Sequence, residues 1–98
     1  MNDLNELQFE WDEEKAKVNL KKRSVGFDEG ATIFNDPLII TITDQAHSDT
    51  EQRNISLGIS VKGHLLIVVH TERNEKIRLI SCRKATPHER KTYDELNK

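Results

Sequence analysis

Residues 53–83 read RNISLGISVKGHLLIVVHTERNEKIRLISCR, and the fold turns on how this stretch is divided. Val, Ile and Leu are dense in it, and it breaks at Lys62-Gly63 and at Asn74-Glu75. The pattern predicts three consecutive antiparallel strands, roughly Arg53–Ser60, His64–Glu72 and Lys76–Cys82. Gly63 is free to take positive φ in a hairpin turn, and Asn74 tolerates the left-handed region. Two-residue loops would set Val61 opposite His64 and Arg73 opposite Lys76. Side-chain alternation then gives one face Ile55, Leu57, Ile59, Leu66, Val68, Ile77 and Leu79, with Arg53, His70, Glu72, Ser81 and Arg83. The other face receives Leu65, Ile67, Val69, Ile80 and Cys82, with Arg73, Arg78, Asn54 and Thr71 towards one end. Both faces of the central strand are apolar, so the rest of the chain must cover them.

The flanking segments read as helices and one further strand. Phe9-Glu10-Trp11 alternates as a short edge strand. Asp12 is placed as the N-cap of a helix to about Arg23, with Glu13 and Glu14 at the positive end and Lys21, Lys22 and Arg23 at the negative end. Trp11 and Ala16 are spaced for a hydrophobic staple, and Ala16, Leu20 and Asn19 are expected to face inward. After the break at Ser24-Val25-Gly26, a short helix over about Phe27–Phe34 stops at Asn35-Asp36-Pro37. Glu29 would stand at its third position with no capping oxygen on Gly26. Leu38–Thr43 is a β-branched run and a predicted strand, and Asp44–Gln52 is polar and loop-like. Thr86-Pro87-His88-Glu89 is a capping-box start for a last helix to about Asn97, anchored by Tyr93 and Leu96. The expected fold is a small α+β domain: one antiparallel sheet, N-terminal helices and a C-terminal helix. It occupies residues 1–98, with residues 1–8 loose.

With 98 residues, 33% charged and 35% hydrophobic, the chain has material for one core. Its net charge of -2 does not mark a general nucleic-acid binder, although residues 28–51 carry no Lys or Arg and the C-terminal half is richer in both. A single cysteine, Cys82, leaves no internal disulfide or cysteine metal site and fits a reducing cytoplasm, most simply as a small buried hydrophobe. No run is long and apolar enough for a membrane span. The histidines at 47, 64, 70 and 88 show no metal-ligand spacing, and no cofactor motif occurs. What remains is a set of strand-borne arginines: Arg53, Arg73, Arg78 and Arg83. Arg53 is expected opposite Glu72, with His70 one same-face step away. Arginine grips phosphate in two-pronged fashion and stabilises charge developing on phosphorus. RNA cleavage through the 2′-hydroxyl needs such donors and a proton acceptor, for which histidine serves. The plain alternative makes Arg53–Glu72 an ordinary cross-strand ion pair, His70 a hydrogen-bonded core residue, and Lys21-Lys22-Arg23 a solvated helix end.

One ordered set of residues carries more. It comprises Phe9-Glu10-Trp11-Asp12, Lys15, Asn19, Lys22, Phe27-Asp28-Glu29, Phe34-Asn35-Asp36-Pro37, Arg53, Gly58, Thr71-Glu72-Arg73, Ile77-Arg78-Leu79-Ile80-Ser81, Arg83-Lys84-Ala85, Glu89-Arg90 and Tyr93. From Phe9 to Tyr93 this resembles the BrnT family of type II toxin–antitoxin systems. The resemblance implies a RelE-like ribonuclease fold and a cytoplasmic bacterial toxin that cleaves RNA without a metal, inhibiting translation and growth. It also implies a BrnA-type antitoxin partner, through which alone operator DNA would be reached. Arg53, Glu72, Arg73 and Arg83 become the candidate catalytic set, with His47 or His70 for proton transfer. Lys22, Arg23 and Arg78 become candidate RNA contacts. The family reads Lys-His-Gly-Val-Ser-Phe where this chain has Lys22-Arg23-Ser24-Val25-Gly26-Phe27. Arg23 replaces a potential base and is itself none at neutral pH. A second expectation follows: a catalytically degenerate module that binds the antitoxin and modulates operator binding.

Overall fold

The structure, a computed structural model, describes residues 7–47 and 51–98, without the His47 side chain. The loose segment expected at residues 1–8 lies mostly outside it. Strand β1 (Phe9–Glu10) is followed by α1 (Glu13–Arg23) and α2 (Phe27–Ala31), which tightens into a 3-10 turn over Thr32–Asn35. Then come β2 (Ile40–Asp44), a 3-10 turn at Gln45–His47, β3 (Arg53–Ile59), β4 (Leu65–Arg73), β5 (Lys76–Lys84) and α3 (Pro87–Leu96). The sheet order is β1-β5-β4-β3-β2. β1 runs parallel to β5 and every other pairing is antiparallel, so the sheet is mixed, where a purely antiparallel one was expected.

Helix boundaries follow the local chemistry. Asp12 accepts from the amides of Glu14 and Lys15. Thr86 and Glu89 close a full capping box around Pro87. Ser24 ends α1 at φ 61°, donating its amide to the Leu20 carbonyl. That left-handed geometry strains a residue bearing a Cβ. Gly26 caps α2 with no side-chain bond, as its missing oxygen requires.

Two one-residue departures reset the sheet. The β3–β4 loop has three residues, Val61-Lys62-Gly63: Ser60 pairs with His64 through a 2.8 Å bond, and Gly63 sits at φ 83°. Ile55 therefore stands opposite Val69 and Leu57 opposite Ile67, and the predicted faces of β3 exchange relative to β4. The Asn74-Glu75 turn is the expected two-residue one, with φ of 54° and 64°. Beyond it, β5 carries an extra residue, Ile80, between Leu79 (opposite His70) and Ser81 (opposite Val69). This bulge turns Cys82 to the same face as Val68, and Arg83 to the face of Ile67.

The two faces now have separate cores. On the first, Leu66, Val68, Leu79 and Cys82 pack with Val25, Phe27 and Ile33, beneath the helices and Trp11. Trp11 meets Phe27 edge-on at 5.9 Å between ring centres. Gly30 of α2 presses so close to β5 that a Cβ there would lie 2.8 Å from the Cys82 sulfur. On the second face, Leu57, Leu65 and Ile67 pack with Tyr93 of α3. Leu20 and Leu96, expected as inward anchors, are 55% and 65% exposed. The buried residue of α1 is Asn19, and Ala16 packs against the first core as expected.

Asn19 fastens α1 to the sheet. Its side-chain nitrogen donates to the carbonyls of Val25 and Cys82, both at 2.9 Å, and its oxygen accepts from the Cys82 amide at 3.1 Å. Removing it leaves three buried backbone groups without these partners. Asn19→Ala should cost about 3 kcal/mol in urea unfolding; a loss below about 0.5 kcal/mol would refute this role. Ser24→Gly should gain about 1 kcal/mol by relieving the left-handed cap, seen as a raised urea midpoint.

Candidate functional site

Because Asn19 pins the middle of α1, the flanking residues of that helix overhang the outer edge of β5. Lys15, Val18, Lys22 and Arg23 from α1 face Ile80 and Ser81 across a groove of about 350 Å³. The bulge lies at its floor. Three cations share this groove with one carboxylate, Glu14, which favours an anionic ligand. Lys22 and Arg23 sit in the last turn of α1, where the negative helix end stabilises them.

A second concavity of about 380 Å³ crosses the other face of the sheet, with Ile55, Leu57, Ile67 and Val69 in its lining. Ser81 lines both cavities. Arg83 also lines this trough and makes a two-pronged pair with Glu89, both bonds 2.8 Å. The Arg83 hydrogen bonds, aided by the Thr86 amide, bring the Glu89 pKa down to about 2 despite partial burial. The same bonds raise that of Arg83.

The other predicted residues are distributed. Arg53 stands opposite Asp44 across β2–β3, and the expected Arg53–Glu72 opposition does not form. The three-residue loop moves the register by one, and Glu72 pairs instead with Ile77 as an exposed residue. Arg73 meets Glu51 at 3.3 Å and Arg78 meets Glu10 at 3.6 Å. Six residue steps along β4, roughly 20 Å of strand, separate Arg73 from Ile67, the partner of Arg83. One phosphodiester cannot engage both ends at once. The structure thus unites Lys22, Arg23 and, through Ser81, Arg83. The His47 side chain lies outside the described residues.

His70 is 6% exposed, edge-on to Phe34 at 4.9 Å. Its Nε2 shares a 2.7 Å hydrogen bond with Ser56, whose hydroxyl is 2.7 Å from that of Thr41. Burial lowers its pKa to about 4, so the ring is neutral at physiological pH and shielded from solvent.

Sequence reasoning passed over two polar clusters. Glu29, 8% exposed, accepts from Ser60 at 2.6 Å and lies 2.7 Å from His64 Nδ1. Burial opposes its ionisation, but the Ser60 and His64 hydrogen bonds outweigh this and its pKa is lowered. Asp36 accepts from Tyr93 at 2.6 Å and from the Ile59 amide at 2.8 Å. Its pKa is likewise lowered by these bonds, against burial. Both clusters tie helices to the sheet. The local signal for Glu29 was an acid at N3 without a cap to serve. Among the described residues, no three His, Cys, Asp or Glu side chains are placed to hold a metal ion.

The buried imidazole makes stability pH-dependent. Between the ordinary value of 6.5 and about 4, the unfolded chain takes up a proton that folded His70 refuses. This contribution therefore falls as pH drops through that window and levels off below it. The His70 ring should titrate by NMR near pH 4, and His70→Gln should be less stable at pH 7 but lose less stability from pH 6.5 to 4.5. A ring titrating near 6.5 would overturn the assignment.

Comparison with known proteins matches residues 11–89 to the family described as the ribonuclease toxin BrnT of type II toxin–antitoxin systems. No curated protein sequence matches the chain. The 1.1 Å crystal structure of the Brucella abortus ribonuclease toxin BrnT shares the fold with a TM-score of 0.64, at 18% identity, covering 82% of this chain and 97% of that one. With a match over four-fifths of its length, the chain belongs to the BrnT family of ribonuclease toxins.

Proposed function

We propose that this chain is an endoribonuclease toxin of the bacterial cytoplasm that cleaves RNA without a metal, inhibits translation and growth, and is neutralised by a BrnA-type antitoxin. Operator DNA is reached only through that antitoxin. The family match over residues 11–89 carries this reading. The basic groove between α1 and β5 supports it as the place for the RNA backbone.

In this proposal Lys22 and Arg23 hold phosphates along the groove. Arg83, two residues beyond Ser81 on β5, donates to the phosphate oxygens as negative charge grows on them. Glu89 yields the guanidinium when substrate arrives. The 2′-hydroxyl attacks the adjacent phosphorus as its proton is taken up by His47 or water, the bond to the 5′-oxygen breaks and that oxygen is protonated, so the products are a 2′,3′-cyclic phosphate and a 5′-hydroxyl. Positioning and electrostatics supply most of the rate. Buried His70 orders the core, leaving His47 as the proton-transfer candidate of the two. Arg53, Arg73 and Arg78 contact RNA phosphates beyond the cleaved bond, and Glu72, exposed and anionic, stays outside those contacts.

Arg23 in place of the family histidine, together with the burial of His70, favours a second reading, in which the fold persists as a non-catalytic antitoxin-binding module. Inducing the chain alone in a bacterial host separates the two. Growth arrest with loss of total RNA is expected from the parent. Purified Lys22→Ala and Arg23→Ala should each bind single-stranded RNA about tenfold more weakly, with a salt slope shallower by roughly 0.7. Arg83→Ala, checked for folding by circular dichroism, should relieve toxicity. If all three folded variants stay fully toxic, the groove assignment is wrong; intact RNA and normal growth with the parent would establish the module.

A further inference from the structure

Apart from Arg83 and Glu89 at its charged end, the trough on the second sheet face has no role in the proposed RNA cleavage. Its lining is aliphatic, from Ile55, Leu57, Ile67 and Val69, and α3 roofs it only in part. At its rim stand Ile42 and Leu96, 59% and 65% exposed. Its charged pair, Arg83 and Glu89, is mutually satisfied in the free protein, and Arg83 alone of the lining is proposed to meet a phosphate. A phosphate backbone gains nothing from the aliphatic lining beyond Arg83, and bases lack an exposed aromatic there on which to stack. Aliphatic side chains of a protein do gain from it. A second copy of this chain, meeting face to face, would set one concavity against another and fill neither.

The end of the trough identifies the rest of the occupant. Ser81 belongs both to the trough and to the groove that holds Lys15, Lys22 and Arg23. A segment lying along the trough therefore runs onto three cations as it passes Ser81. We infer that the trough seats aliphatic side chains of one antitoxin segment, whose adjoining acidic residues cross Ser81 onto Lys15, Lys22 and Arg23. This rests on the reading of the chain as the toxin of a toxin–antitoxin pair. The antitoxin then occupies the phosphate groove itself, and neutralisation is direct exclusion of RNA. Apolar anchors provide the grip and acidic residues the specificity and the steering.

The test uses the full-length toxin and the purified product of the adjacent antitoxin gene. Ile42→Asp and Leu96→Asp alter exposed rim positions and should fold and cleave RNA as the parent does. In calorimetry their affinity for the antitoxin should fall at least thirtyfold, and co-expressed antitoxin should no longer protect the host. Lys15→Glu should weaken the complex about tenfold, and the parent complex should weaken as salt rises. A 2′-deoxy oligonucleotide bound to the parent should be displaced by one equivalent of antitoxin. Antitoxin binding unchanged in both rim variants would overturn the inference. So would lost cleavage with intact antitoxin binding, which makes the trough a substrate surface, or a parent dimer that the rim variants dissociate without affecting antitoxin affinity. A parent that binds the antitoxin but cleaves no RNA leaves the calorimetric result decisive and overturns only the ribonuclease reading.

Discussion

The side chain of Asn19 meets the backbone of Cys82 from both sides, giving a hydrogen bond to its carbonyl and taking one from its amide. It treats β5 as a neighbouring strand would. β1 pairs with that edge only at Ile77 and Arg78, so the backbone groups of Cys82 would otherwise be left open where a helix excludes water. The same amide nitrogen also reaches the Val25 carbonyl, fixing the turn from α1 into α2. One polar side chain thus sets the height and rotation of α1 over the sheet. The position of Lys15, Lys22 and Arg23 follows from it. The basic groove is a by-product of how a helix closes a sheet edge.

Register carries the next layer. A slip of one residue exchanges the faces of a strand completely, and this sheet contains two such events. The three-residue loop at Val61-Lys62-Gly63 gathers Ile55 and Leu57 with Ile67 and Val69, which creates the apolar trough. The bulge at Ile80 brings Ser81 and Arg83 to that trough and sends Cys82 into the helix-covered core. There burial, reinforced by the nearby Glu29 charge, pushes the Cys82 thiol up to about 12, which fits an inert packing residue. Without the bulge, Arg83 would point under the helices.

These events explain what could be read from the chain and what could not. Capping at Asp12 and Thr86, the Asn74-Glu75 turn and the succession of strands were legible because each depends on neighbours within a few positions. The β3–β4 loop was ambiguous, since Gly63 serves a two-residue or a three-residue turn equally well. The Ile80 bulge had no local signal. Leu20 and Leu96 misled because hydrophobic type was taken as burial, whereas α1 buries an amide. For the site, the arginines were recognisable by type and their partners were not. Glu89 reads locally as a capping residue, and its second task, holding Arg83, appears only once α3 folds back beside β5. The ordered motif resemblance identified the family correctly because it spans the chain and needs no register.

The paired arginines bear on how such a surface is kept in check. Arg83, Arg73 and Arg78 each face a carboxylate. The Arg73 and Arg78 pairs, at 3.3 and 3.6 Å and partly exposed, are worth little and exchange readily. Arg83–Glu89 is tighter and two-pronged, and Glu89 is bound at the same time to the Thr86 amide. An anion taking Arg83 would therefore leave Glu89 its helix cap, and the helix would not need to unravel. Lys22 and Arg23 open directly to the groove, whereas Arg83 is held by a carboxylate that an incoming anion would have to displace. Under the proposed ribonuclease reading, such an arrangement would discriminate on geometry as well as charge, in a chain whose net charge is -2.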